Sequence, residues 1–192
     1  MDATAPAGSS DTPPAYVGLW PRLGANLVDI LVLVPVILFD IWARAHYRMF
    51  RVWVIPWRLL VFAFYRVFLI GRFGGTPGKM ILGIEIRKVD GSPVRYGQAF
   101  LRGFPDTLFY LMLASVSAFA ALNLSDAEYL SMSVRARTAY FRSFSPGVYQ
   151  FLEFVGYAWI LADIIVFFCN DERRALHDFV AGTVVVKAPV NL

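Results

Sequence analysis

Apolar residues in this chain gather into four runs, Leu23 to Ala43, Val52 to Gly71, Phe104 to Leu124 and Val148 to Cys169. Each comes close to the about 20 residues that an α-helix needs to cross the roughly 30 Å hydrocarbon core of a bilayer. With 58% of its 192 residues hydrophobic and 17% charged, a water-soluble fold of this length would leave much apolar surface uncovered. Lipid accepts that surface. The expected architecture is therefore an all-α membrane protein, a bundle of about four transmembrane helices, carrying one small β flap outside the membrane.

The runs differ in character. Trp20 and Trp42 bracket the first, where amphipathic rings favour the interface, and Pro35 is expected to kink it. Arg58 and Arg66 interrupt the second, which fits a tilted helix or one pressed against partners. The third is rich in small residues around Ala114, Ser115, Ser117, Ala118, Ala120 and Ala121, a composition that lets helices approach closely in lipid. The fourth contains Glu153 near one end and Asp163 well inside. Between the last two, Ser125 to Gly147 mixes Tyr129, Leu130, Tyr140 and Phe141 with Arg135, Arg137 and Arg142, the pattern of an interfacial amphipathic segment.

The connection from Gly74 to Gly103 is different in kind. Thr76-Pro77 reads as a helix N-cap followed by proline at the first helical position, so a short helix is expected after it. Ile84, Glu85, Ile86 and Arg87 then alternate apolar and polar, Asp90-Gly91 is a type I′ hairpin turn signal, and Val94 with Tyr96 begins a return strand. The β-branched run Thr183-Val184-Val185-Val186-Lys187 is expected to join that hairpin as a third strand, because a lone hairpin is marginal. The flap thus comprises residues 76–102 and 175–187. Four spans place it on the same side as the C-terminus. Arg72, Lys79, Arg87, Lys88, Arg95, Arg102, Arg173, Arg174 and Lys187 argue for the cytoplasmic side of an inner (plasma) membrane, opposed by Arg44, Arg48, Arg51, Arg135, Arg137 and Arg142. Residues 1–15 lack a basic n-region and an apolar core, so they do not read as a signal peptide and are expected to be a disordered tail to a domain of residues 16–192.

Several function classes recede on composition. The net charge of +4 is spread between the apolar runs and is no nucleic-acid footprint. One cysteine, Cys169, and two distant histidines supply neither a disulfide nor a metal site. No nucleophile and base fall in a catalytic pattern, so neither enzyme activity nor a cofactor is expected.

What remains is charge inside the membrane. Asp29 lies deep in the first span, where a charged side chain costs about 2.5–3.5 kcal/mol unless something compensates. Arg22, seven residues earlier, shares its helix face about 10 Å away along the axis, and Asp40 continues that face. Asp163 and Glu153 pose the same question on the fourth span, and if Asp163 faces Asp29 one of the two carboxylates is expected to hold a proton. Two readings stay open: a protonatable or cation-binding carboxylate in a transport path, or a buried pair, with Arg58 or Arg66 as partner, that locks packing.

At these residues the chain resembles the RDD family. That family is named for an arginine at the start of its first span, an aspartate in the middle of it and a further aspartate. Here these are Arg22 in Trp20-Pro21-Arg22-Leu23, Asp29 in Leu27-Val28-Asp29-Ile30 and Asp178 in Ala175-Leu176-His177-Asp178. Thr76-Pro77-Gly78-Lys79 resembles the family's glycine-lysine turn, and His177 to Thr183 its C-terminal signature. The third apolar run and the amphipathic segment after it are additional to the common family pattern. The resemblance implies a bacterial-type membrane protein for which transport of small ligands, including cation and proton exchange, has been suggested. It also adds Thr76, Gly78, Lys79, His177 and Asp178 as motif residues. His177 and Asp178, adjacent on a helix, point about 100° apart and are no catalytic pair. Asp178 is expected to cap, or to clamp the C-terminal segment through Arg22 or Lys79, and the basic turn at Lys79 suits a lipid headgroup. The expected partners are the bilayer and either further copies of the chain or a membrane-complex partner. The expected roles are transport of a proton, small cation or other small ligand through Arg22, Asp29 and Asp163, or a scaffold that docks a protein or acidic lipid.

Overall fold

The computed structural model describes residues 15–188. The expected disordered tail lies outside the described residues except for Ala15, whose carbonyl accepts the Lys187 N–H at 3.2 Å.

The chain runs α1 (Leu19–His46), α2 (Phe50–Val61), a π-helical stretch (Phe62–Phe68), α3 (Leu69–Phe73), α4 (Pro77–Ile81), β1 (Ile84–Lys88), α5 (Tyr96–Leu122), α6 (Asp126–Ser131), α7 (Val134–Phe144), α8 (Pro146–Phe168), α9 (Leu176–Ala181) and β2 (Thr183–Lys187). Four helical stretches, Leu19–His46, Phe50–Ile81, Tyr96–Leu122 and Pro146–Phe168, are long and apolar enough to cross a membrane. The four expected apolar runs fall on them, the third and fourth running past the helix ends to Leu124 and Cys169, and their large apolar side chains, Leu31, Leu60, Phe119 and Phe154 among them, point outward. Outward apolar faces are what contact with bilayer lipid requires, so the chain is a multi-pass membrane protein.

Helix starts and stops follow local chemistry. Gly74 ends α3 at φ 75°, a conformation that favours glycine, and Thr76 with Pro77 then starts α4. Arg95 accommodates a cap in which its N–H donates to Gln98 Oε1 at 3.2 Å, so α5 begins at Tyr96, eight residues before the apolar run does. Ser125 and Glu128 form a capping box at α6, and Ser133 caps α7. Tyr129 and Phe141 of this amphipathic pair of helices bury against Ala120, Ala121 and Leu124 at the far end of α5.

The flap differs from expectation in strand count. β1 pairs antiparallel with β2, with Ile86 opposite Val185 and Ile84 opposite Lys187, in a two-stranded sheet. The C-terminal run joins β1 as expected, but Val94 and Tyr96 form no return strand. After the Asp90-Gly91 turn the chain pairs with β1 through an isolated bridge between Arg87 and Pro93, with the Lys88 N–H donating to Ser92 O at 3.0 Å. Proline has no N–H to continue a ladder, and two residues later the cap of α5 has begun. On the other edge, Tyr16 bridges to Val186 and the Val17 N–H donates to Val185 O at 3.0 Å. Ile84, Ile86, Val185, Val17, Val94 and Ala99 close a small core that meets Ala25 of α1 and Ile70 of α3. The flap is thus fastened to the membrane helices at one end of the bundle, while α6 and α7 cover the other.

Candidate functional site

Asp29 meets the flap, not an arginine. Its Oδ1 accepts from Tyr65 Oη at 2.8 Å and from the Gly78 backbone N–H at 2.7 Å, and its Oδ2 accepts from the Thr76 hydroxyl. Lys79 Nζ stands 3.9 Å from Oδ2. The carboxylate therefore caps α4 from another helix, taking a backbone donor that the first turn leaves free. Gly78 makes this approach possible, because a Cβ there would lie 2.1 Å from the Ala25 carbonyl oxygen and 2.9 Å from Asp29 Cγ. Of the two arginines considered as partners for Asp29, Arg58 instead reaches Asp40 at 3.2 Å and Arg66 reaches Asp106 at 3.5 Å. Asp40, fully buried, also pairs with Arg44. The π-helical stretch carries Tyr65, turned toward α1, one residue before Arg66, turned toward α5.

Asp178, also fully buried, gathers the second cluster. Arg22 Nη1 lies 3.0 Å from its Oδ2 and Arg102 Nη2 2.8 Å from its Oδ1. The Ala175 N–H donates to Oδ2 at 3.1 Å and Thr183 Oγ1 to Oδ1 at 3.3 Å, so the carboxylate also caps α9 and anchors the start of β2. Burial alone would push this carboxyl up, but Arg102, Arg22 and the Ala175 N–H outweigh it and hold it down at about 2. Arg22 spends its other donors on Val17 O at 3.1 Å and Arg173 O at 2.6 Å. Arg173 is the one non-glycine residue with positive φ among the described residues, so Arg22 fastens the strained turn between α8 and α9. Arg22 is thus the clamp partner of Asp178, and Lys79 serves Asp29.

Asp163 of α8 forms a third arrangement. Its Oδ1 accepts from the His177 backbone N–H at 3.0 Å and faces His177 Nδ1 at 2.7 Å. The other ring nitrogen, Nε2, lies 3.1 Å from Arg102 Nη2. Arginine can only donate, so Nε2 accepts and the imidazole is neutral with its proton on Nδ1, shared with Asp163. Asp163 Oδ2 has no hydrogen-bond partner among the described residues.

These three groups border one cavity of about 700 Å³ between α1, α5 and α8. Arg22, Asp29, Lys79, Arg102, Asp163 and His177 form its polar side, and Leu33, Ile160 and Phe167 contribute to an apolar side. Arg66 and Asp106 also line it, so with Asp178 behind them four cations face four carboxylates around His177. Asp163 does not share a site with Asp29 directly, because each carboxylate has its own donors, but both look into the same space. The Asp163 side chain is 24% exposed, against 12% for Asp29 and 0% for Asp178. Glu153 lies elsewhere, paired with Arg142 at 3.1 Å near the start of α8.

Two participants escaped the sequence reading. Arg102 was counted only as a juxtamembrane charge, yet it joins Asp178 to His177. Tyr65 lies inside the second apolar run with no motif around it. The RDD family model matches residues 16–182, nearly the whole described chain. No curated protein matches it.

Proposed function

The chain belongs to the RDD family, and on that premise we propose that it is a membrane transport component in which Asp163, rather than Asp29, binds the proton or small cation. One observation carries this reading. Asp29 and Asp178 have both oxygens occupied by fixed donors, whereas Asp163, whose side chain lines the cavity, has no donor to Oδ2 among the described residues. A carboxylate that must bind and release an ion needs such an open position, and intramembrane carboxylates of this kind mark ion pathways.

The neighbours supply a way for occupancy to be felt elsewhere. When Asp163 takes a proton or a cation, it becomes a weaker acceptor for the Nδ1–H of His177. The ring is held on its far side by Arg102, and Arg102 holds Asp178 in α9. Loading at α8 therefore acts along a continuous chain of hydrogen bonds on the attachment of the flap. The apolar side of the cavity keeps bulk water from competing for the site. The cations at the flap end favour a cytoplasmic flap in a plasma membrane, and at the far end Arg48 and Arg137 are partly spent on the Ala121 and Ala45 carbonyls that end α5 and α1.

A non-transporting accessory role rests on the Asp29 and Asp178 clusters, which tie the flap to three spans and make it a rigid docking platform. Purified protein in liposomes loaded with a pH-sensitive dye separates the two. Transport predicts ion-driven dye response that Asp163→Asn abolishes while the variant folds and elutes like the native chain. No response from the native protein, together with a stoichiometric partner from native membranes, would favour the accessory role.

A further inference from the structure

At the end of the bundle opposite the flap, α1, the start of α2 and α7 enclose a second cleft of about 240 Å³. Three guanidinium groups, those of Arg44, Arg51 and Arg137, converge on it, and no carboxylate is among its lining residues. Each has one structural task. Arg44 Nη2 pairs with Asp40 and its Nε donates to Asp40 O. Arg51 donates Nε to Tyr129 Oη at 3.0 Å and lies 3.8 Å from the centre of the Phe141 ring, which fixes its plane. Arg137 donates Nε to Met132 O and Nη1 to Ala45 O at 2.8 Å, closing the C-terminus of α1.

Each also keeps unspent donors. Arg44 Nη1, both Nη groups of Arg51 and Arg137 Nη2 have no acceptor among the described residues. The nearest acidic charge, Asp40, is fully buried and shared with Arg58. Three pre-oriented cations with spare N–H groups and one shared counter-charge form a receptor for a multidentate anion, and planar guanidinium forks match phosphate best. The position decides which phosphate. The cleft lies at the junction of α1 and α2, just past the close of the first apolar run at Ala43, and is lined by Ile41, 55% exposed, and Val134, 75% exposed. In a bilayer the guanidinium groups would therefore stand at headgroup level beside two apolar side chains suited to acyl chains. We infer that this cleft binds the phosphate of an acidic phospholipid in the leaflet away from the flap, with Ile41 and Val134 against its acyl chains. The site is independent of the cavity at Asp163.

Native mass spectrometry of the detergent-purified full chain, titrated with phosphatidylglycerol or phosphatidylcholine, tests it. The native protein is expected to retain one phosphatidylglycerol at least about tenfold more tightly than phosphatidylcholine, and millimolar inorganic phosphate is expected not to displace it. Arg137→Gln should remove that preference. Because Arg137 also holds α1, Thr138→Trp serves as a second variant that fills the cleft without removing any cation, and it should have the same effect. Arg135→Gln, on α7 but outside the cleft, should leave retention unchanged. Equal retention of the two lipids, displacement by inorganic phosphate, an Arg135→Gln loss as large as that of Arg137→Gln, or full retention by Thr138→Trp would each overturn the inference.

Discussion

Replacing Asp178 with asparagine keeps the side-chain volume and removes the charge that two buried arginines share. Arg22 and Arg102 are only 9% and 6% exposed, so neither recovers the loss through water. The new amide would also turn a donor toward guanidinium donors. Removing one partner of a buried ion pair costs about 3–5 kcal/mol, and here one deletion strands two cations. An independent magnitude comes from the acid side. A carboxyl held at about 2 against an ordinary 3.8 corresponds to roughly 2 kcal/mol of folding stability. Because the folded value is the lower one, that contribution is complete above about pH 4 and disappears as the pH falls toward 2. The substitution should cost more than the protonation, since a protonated Asp178 keeps lone pairs on both oxygens and can turn its one proton aside, whereas the amide nitrogen of asparagine offers an arginine only N–H donors. Thermal unfolding of detergent-purified protein, followed by tryptophan fluorescence at several pH values, measures both quantities. Asp178→Asn is expected to lower the midpoint at pH 7 by at least about 6 °C and to flatten the acid-side decline between about pH 4 and 2.5. A drop below about 2 °C, or an acid limb as steep as the native one, would refute the reasoning.

Three other substitutions probe the contact between the flap and the first span and the pair beyond it. Gly78→Ala places a Cβ against the Ala25 carbonyl oxygen, so α4 must move off α1 at a cost of about 1–3 kcal/mol, seen as faster amide exchange from Met80 to Leu82. Tyr65→Phe removes one of three donors to Asp29 and should cost about 1–2 kcal/mol in the same thermal assay, without altering the far-UV circular dichroism spectrum. Arg58→Gln leaves the fully buried Asp40 with Arg44 alone. It should destabilise by about 1–3 kcal/mol, and Asp40→Asn in the same chain should recover part of that loss.

Much of the architecture was legible because bilayer thickness demands long apolar runs, and all four became helices. Their ends were less legible. The start of α5 hides among Tyr96, Gln98 and Arg102, polar residues that a search for apolar length passes over; with no capping Ser, Thr, Asp or Asn before it, the mark of that start is Gln98, whose side chain accepts the Arg95 N–H. Arg102 therefore looked like a loop charge, although one helical turn places it against Asp178. The hairpin reading failed at Pro93, a residue that argues against a return strand whatever the turn before it. The chain does turn there, with Gly91 at φ 79°, but not as a type I′ turn, since Asp90 lacks the positive φ that form requires; β-branched composition correctly brought Val184 to Val186 to β1. For Asp29, the search for a compensating arginine looked in the wrong place. A carboxylate can equally be satisfied by a hydroxyl pair and the open N-terminus of a helix, and Thr76-Pro77-Gly78 announced that terminus. Nothing local linked Asp163 to His177, which meet only because the turn after α8 folds α9 back against that helix.

The account rests on the difference between a carboxylate with both oxygens occupied and one with an oxygen left open. Proton flux into liposomes containing the purified native protein, Asp163→Asn or Asp29→Asn, each checked for a folded and correctly inserted chain, measures that difference most directly. The account predicts flux in the native protein and none in a well-folded Asp163→Asn. Asp29→Asn should be less stable, yet its surviving folded fraction should keep its flux per molecule. Native-level flux in Asp163→Asn, with flux lost in a folded Asp29→Asn, would contradict it.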